Sequence, residues 1–78
     1  MHHTIAVVIP AFNSASTISA AIDSALTQST PPDEVIVVDD GSTDATAEII
    51  RSFGNKVKLL LQSNQGSAVA RQTGTDAA

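Results

Sequence analysis

Glu34-Val35-Ile36-Val37-Val38 runs without a break into Asp39-Asp40-Gly41-Ser42. Four consecutive apolar β-branched residues read as a strand buried on both faces, because a strand with one wet face would alternate. The acidic pair and the Gly-Ser after it mark the end of that strand and a turn. Upstream, Ile5-Ala6-Val7-Val8-Ile9 is a run of the same kind, bounded by Pro10. Downstream, Val57-Lys58-Leu59-Leu60-Leu61 is a third.

Helical periodicity fills the gaps. Ile18, Ala21, Ile22, Ala25 and Leu26 recur at three- and four-residue spacing, with Ser19, Asp23, Ser24 and Thr27 outside the stripe. Ser14, Ser16 and Thr17 are candidate N-caps, and Thr30-Pro31-Pro32-Asp33 stops the helix. A second helix is expected from about Asp44 to Phe53, with Ala45, Ile49, Ile50 and Phe53 on one side. Thr43 or Asp44 can cap it, and Gly54-Asn55 supplies a left-handed stop. From Ser67 to the end the chain reads as a third helix, with Gly74 against it. The order β-α-β-α-β-α implies a parallel sheet with right-handed crossovers and strand order 3-2-1. The expected class is therefore α/β, a three-layer Rossmann-like half-domain.

The whole sequence has 78 residues and a formal net charge of -4. That length allows one small domain or a piece of a larger one, and excludes a two-domain architecture or a large self-contained active site. With no cysteine, neither disulfides nor thiolate metal sites can supplement the core. The acidic balance argues against nucleic acid as a partner, since phosphate contacts need clustered Lys and Arg. No run approaches the ~20 apolar residues of a transmembrane helix, and Met1-His2-His3 lacks the basic start of a signal peptide. The expected compartment is the cytoplasm, with the His pair solvated. Half of a doubly wound sheet would leave the first strand's outer edge apolar and unpaired. The sequence is thus expected to be the opening half of a larger α/β domain. Standing alone it would form a homodimer or higher oligomer through exposed edges, or be poorly ordered.

Ligands of open parallel sheets bind beyond the carboxyl ends of the strands. Three loops leave those ends: Pro10-Ala11-Phe12-Asn13, Asp39-Asp40-Gly41-Ser42 and Ser63-Asn64-Gln65-Gly66. Phe12 either stacks on a planar ligand such as a base or anchors its loop over the core. Asn13 offers donor and acceptor groups, or simple turn chemistry. The side chains of Asp39 and Asp40 should diverge, because residues alternate along a strand. One could bind a base or ribose while the other meets a metal or a backbone amide; alternatively, Asp40-Gly41-Ser42 forms an Asx-type turn. Arg71 could reach a phosphate or pair with a carboxylate. Glycine-rich phosphate loops, a Ser-His-Asp set and His/Cys ligand clusters are absent from the sequence.

Three segments in order carry a resemblance: Val8-Ile9-Pro10-Ala11-Phe12-Asn13, then residues 32–44 (Pro-Asp-Glu-Val-Ile-Val-Val-Asp-Asp-Gly-Ser-Thr-Asp), then Asn64-Gln65-Gly66 with Ala70-Arg71. From about Thr4 to its end the chain resembles the amino-terminal part of a family-two glycosyltransferase of the GT-A fold. The resemblance implies a domain that binds a nucleotide-activated sugar, with a UDP-sugar as the expected donor. Family members transfer the sugar to an acceptor with inversion, usually with a divalent metal, Mg or Mn. It implies that Phe12 packs against the base, that Asp40 hydrogen-bonds it with Asp39 alongside, and that Pro10, Ala11 and Asn13 shape the surrounding loop. Asn64 and Gly66 match a loop near the nucleoside, and Arg71 falls in the same set. Tyr is frequent where Phe12 stands, and the usual Arg-Asn pair reads Arg71-Gln72. The D-x-D motif that holds metal and diphosphate is not matched, and Asp76 is not in its context. Residues 1–78 are accordingly expected to form a nucleotide-binding part cut before D-x-D, inactive alone and holding no metal. Two other readings stay open: a non-catalytic assembly module that dimerises through the first strand or last helix, and a receiver-like phosphorylation domain. The second lacks an Asp at the end of its third strand.

Overall fold

The computed structural model describes residues 5–78; the His2-His3 pair and Thr4 lie outside them. The elements are β1 (Ala6–Ala11), α1 (Ile18–Leu26), β2 (Glu34–Asp40), α2 (Thr46–Arg51), β3 (Lys58–Gln62) and α3 (Ser67–Ala77), with a 3₁₀ turn at Gly54–Lys56. The three strands are parallel in the order β1-β2-β3, which is the expected 3-2-1 arrangement read from its other edge.

Each face of the sheet gathers its own cluster. Val35 and Val37 of β2 meet Ile18, Ile22 and Ala25 of α1 and Ile50 of α2. Ile36 and Val38 meet Ala70 of α3, with Val8, Leu60 and Ala77 packed around them. Helices α1 and α2 thus cover one face and α3 the other, so the architecture has three layers. The unbroken apolar run of β2 follows from this burial: every residue from Val35 to Asp40 is buried.

Four local expectations are corrected. β1 does not close at Pro10 but runs on to Ala11, with Pro10 opposite Val38; an edge strand tolerates proline because alternate N–H groups face away from its one neighbour. For the same reason Val7, Val8 and Ile9 are only half-buried, not buried on both faces. Asp39 and Asp40 belong to β2 itself, not to the loop after it. Finally, α2 is shorter than expected, because the Asp44 carboxylate accepts the Thr46 N–H at 2.9 Å and bonds its hydroxyl, holding residues 44–45 in the preceding turn. Thr17 sits at the N-cap of α1 without a side-chain cap bond. The Ser14 carbonyl receives the Thr17 and Ile18 amides instead. Gly54 does supply the left-handed stop, at φ +63°.

Gly74 opposes helix propensity for a packing reason. A Cβ at this position would lie 2.3 Å from Cγ1 of Val8 and 3.2 Å from Cγ2 of Val38. The missing side chain lets α3 settle directly on β1 and β2.

Candidate functional site

Alternation along β2 separates its two terminal carboxylates. Asp39 follows Val35 and Val37 on the α1/α2 side. Its Oδ1 accepts the Ser42 N–H at 3.1 Å, closing the turn out of the strand. The Ser42 N–H that an Asx-type turn at Asp40 would use is therefore taken by Asp39, three residues back. Asp40 follows Ile36 and Val38 on the α3 side and is 3% exposed.

Asp40 is a hub. Oδ1 accepts from the Gln62 side-chain amide at 2.7 Å and the Gln65 N–H at 2.8 Å, and Oδ2 accepts the Gly66 N–H at 2.9 Å. Its backbone carbonyl accepts from the Asn64 side-chain amide at 3.1 Å. Close approach of the two strand exits makes this possible. Gly41 has φ +78°, and any Cβ there would stand 2.8 Å from the Asn64 backbone nitrogen. The Gln62 amide, then the Gln65 amide, with help from Gly66, hold the Asp40 carboxyl below its ordinary value against the opposing effect of burial. It is thus an ionised, acceptor-only group at neutral pH. A carboxylate has about four acceptor positions. Three are occupied, which leaves one, on Oδ2.

Asp40 borders an open pocket of about 70 Å³ whose other lining residues are Pro10, Ala11, Phe12 and Ser67. The Phe12 ring is 49% exposed, so it is not sunk into the core as a loop anchor. Four of the residues singled out from the sequence thus come together: Pro10, Ala11, Phe12 and Asp40. Asn13 turns away. In a left-handed conformation (φ +47°) that Asn tolerates, it accepts the Thr43 N–H at 2.8 Å. Its own N–H donates to the Ser42 hydroxyl at 2.9 Å. Asn13 therefore ties the β1 exit to the β2 exit without lining the pocket. Asn64 and Gly66 act through Asp40, and Arg71 is exposed on α3, one turn beyond Ser67 and on the same helix face.

The sequence profile of glycosyl transferase family 2 matches residues 6–78, nearly the whole chain. The chain belongs to glycosyl transferase family 2. An uncharacterized glycosyltransferase of Rickettsia prowazekii is 41% identical over 70 residues, covering 90% of this chain and 22% of that protein. A cholesterol galactosyltransferase of Borreliella burgdorferi is 37% identical over 92% of this chain and 21% of its own length. A succinoglycan biosynthesis protein of Rhizobium meliloti is 45% identical, with 91% and 21% covered. The chain spans about a fifth of the length of these curated relatives.

For a family 2 chain, three contributors escaped the reading of the sequence: Ser67, Gln62 and Thr73. Ser67 borders the pocket, whereas Gln62 bonds Asp40 and Thr73 bonds Gln62. The strand register that sets Gln62 opposite Asp40 leaves no local signature in sequence. The divalent cation implied by the family resemblance finds no fit here: among the described residues no three His, Cys, Asp or Glu side chains cluster to hold an ion. Asp39 and Asp40 already serve backbone amides, so no step is assigned to a metal. Among the described residues, no helix is long and apolar enough to cross a membrane.

Proposed function

We propose that this chain binds the nucleoside end of a nucleotide-activated sugar, a UDP-sugar, for a glycosyltransferase that passes the sugar to an acceptor. The observation that carries the reading is a pocket lined by Phe12 and by Asp40, whose carboxylate has three of its about four acceptor positions filled. An ionised carboxylate can only accept, from an N–H or an O–H. The imide N3–H of uracil meets that demand, whereas cytosine and adenine offer only an exocyclic amino group with the acceptor N3 or N1 beside it. Guanine also offers an N–H, but a pocket this small suits a one-ring base. The exposed ring of Phe12 supplies a face on which that base stacks. Arg71, reached one turn along α3, is the cation for the diphosphate. The isolated 78 residues are proposed to bind donor nucleotide without transferring sugar.

Phe12→Ala tests the stacking half of this reading. Loss of one base–aromatic contact is expected to weaken UDP binding roughly 5- to 100-fold. Thermal stability should change little, because the ring is half exposed. Titration of both proteins with UDP, followed by NMR, measures the ratio. Equal affinities would remove Phe12 from the site.

A further inference from the structure

The network behind Asp40 runs deeper than its direct partners. Gln62 stands opposite Asp40 in the β2–β3 register. Its Nε2 donates to Asp40 Oδ1 at 2.7 Å, and its Oε1 lies 2.7 Å from the Thr73 hydroxyl on α3. The orientation of an amide is set by its partners. Ionised Asp40 accepts only, so Gln62 must present Nε2 to it. Oε1 is then left facing Thr73, which must donate its one proton there. The Val69 carbonyl, at 3.0 Å from the same hydroxyl, is the longer alternative. Each bond in the series has only one workable polarity, and the series crosses from α3 through β3 to the carboxylate.

We infer that Gln62 and Thr73 are positioning residues, which lock the Asp40 carboxylate so that its last acceptor position faces the base. This rests on the reading of the pocket as the nucleoside site. Without the Thr73 hydroxyl the Gln62 amide loses the partner that fixes its far end. It then rotates away from Oδ1, and Asp40 is left with the two loop amides. The carboxylate can now pivot towards Gln65 and Gly66, and its alignment with a base N–H degrades. Thr73 itself touches no ligand in this scheme, so its effect must pass through Gln62.

The experiment compares wild type with Thr73→Val, which keeps the shape, Thr73→Ser, which keeps the hydroxyl, and Gln62→Met, which removes the amide. Two readouts are taken on each folded protein: the NMR titration of the Asp40 carboxyl carbon, and UDP affinity. Thr73→Val is expected to raise the Asp40 titration midpoint towards that of Gln62→Met and to weaken UDP roughly 3- to 10-fold, the scale of one ordinary hydrogen bond. Thr73→Ser is expected to restore both. If Thr73→Val does not fold, Gln62→Met carries the same comparison. A wild-type midpoint and affinity in Thr73→Val, or in Gln62→Met in its place, would overturn the inference. A raised midpoint in a chain whose wild type ignores UDP would leave the positioning of Asp40 standing and overturn the nucleotide reading instead.

Discussion

Gly74→Leu is expected to abolish the folded state, and Gly74→Ala to lower the melting temperature by roughly 5–15 °C. Helix propensity alone predicts the opposite sign for alanine, a gain of about 1 kcal/mol over glycine within a helix. Close packing against Val8 and Val38 overrides it. The new Cβ would fall 2.3 Å from Val8 Cγ1, so either Val8 turns or α3 shifts on the sheet, and Val8 Cβ at 3.3 Å and Val38 Cγ2 at 3.2 Å crowd it as well. Overpacking of this kind costs about 1–3 kcal/mol, a large share of the stability of a chain this size. Thermal melts followed by circular dichroism decide the matter. A higher melting temperature for Gly74→Ala would mean that α3 does not lie as closely on the sheet as described.

Asp40→Ala is expected to reduce UDP binding roughly tenfold or more. The loss has two sources. The acceptor for the base disappears, and three buried-side donors, from Gln62, Gln65 and Gly66, lose their shared partner. Asp40→Asn separates them in part. Its carbonyl oxygen can still serve Gln62 and Gln65, but its NH₂ replaces Oδ2, which leaves the Gly66 N–H without its acceptor and sets a donor where the base N–H is proposed to bind. That variant should lose UDP and gain relative affinity for CDP, because N3 of cytosine accepts where N3–H of uracil donates. Isothermal titration with both nucleotides measures the exchange; unchanged preference in Asp40→Asn would separate Asp40 from base recognition. Asp40 also shapes the response to acid. Its folded-state carboxyl titrates below the ordinary 3.8, as does that of Asp44, bonded to Thr46. Depressed values mean stability that is complete well above pH 3.8 and lost as pH falls through the folded-state values. Asp40→Asn should flatten that acid limb in part, with the Asp44 contribution remaining.

The fold was legible because β2 carries it in one unbroken run. Val35 to Val38 could only be a strand buried on both faces, and the flanking helical stripes of α1 and α2 then set the topology. The limits of β1 and α2 were less so, since Pro10 is a breaker in general and tolerated at an edge, and Asp44 bonds Thr46 from the turn ahead of α2 and so shortens the helix. The site was half legible. Phe12 and Asp40 stood out as residues hard to assign to packing, and they meet at one pocket. What could not be read was which carboxylate faced which layer's partners. Asp39 took the turn that Asp40-Gly41-Ser42 suggested. The support from Gln62 and Thr73 depends on cross-strand register and helix placement, which are tertiary facts. Gly74 misled for the same reason: propensity is local, and the contact with Val8 spans most of the chain.

The most direct test of the account is an NMR titration of the wild-type chain at neutral pH with UDP and, separately, with CDP. The two ligands differ at the base edge that Asp40 is held to read. The account predicts shifts from UDP confined to Phe12, Gly66, Ser67 and their neighbours, with CDP needing a far higher concentration for the same shifts. Equal responses to the two nucleotides, or shifts elsewhere on the sheet, would contradict it.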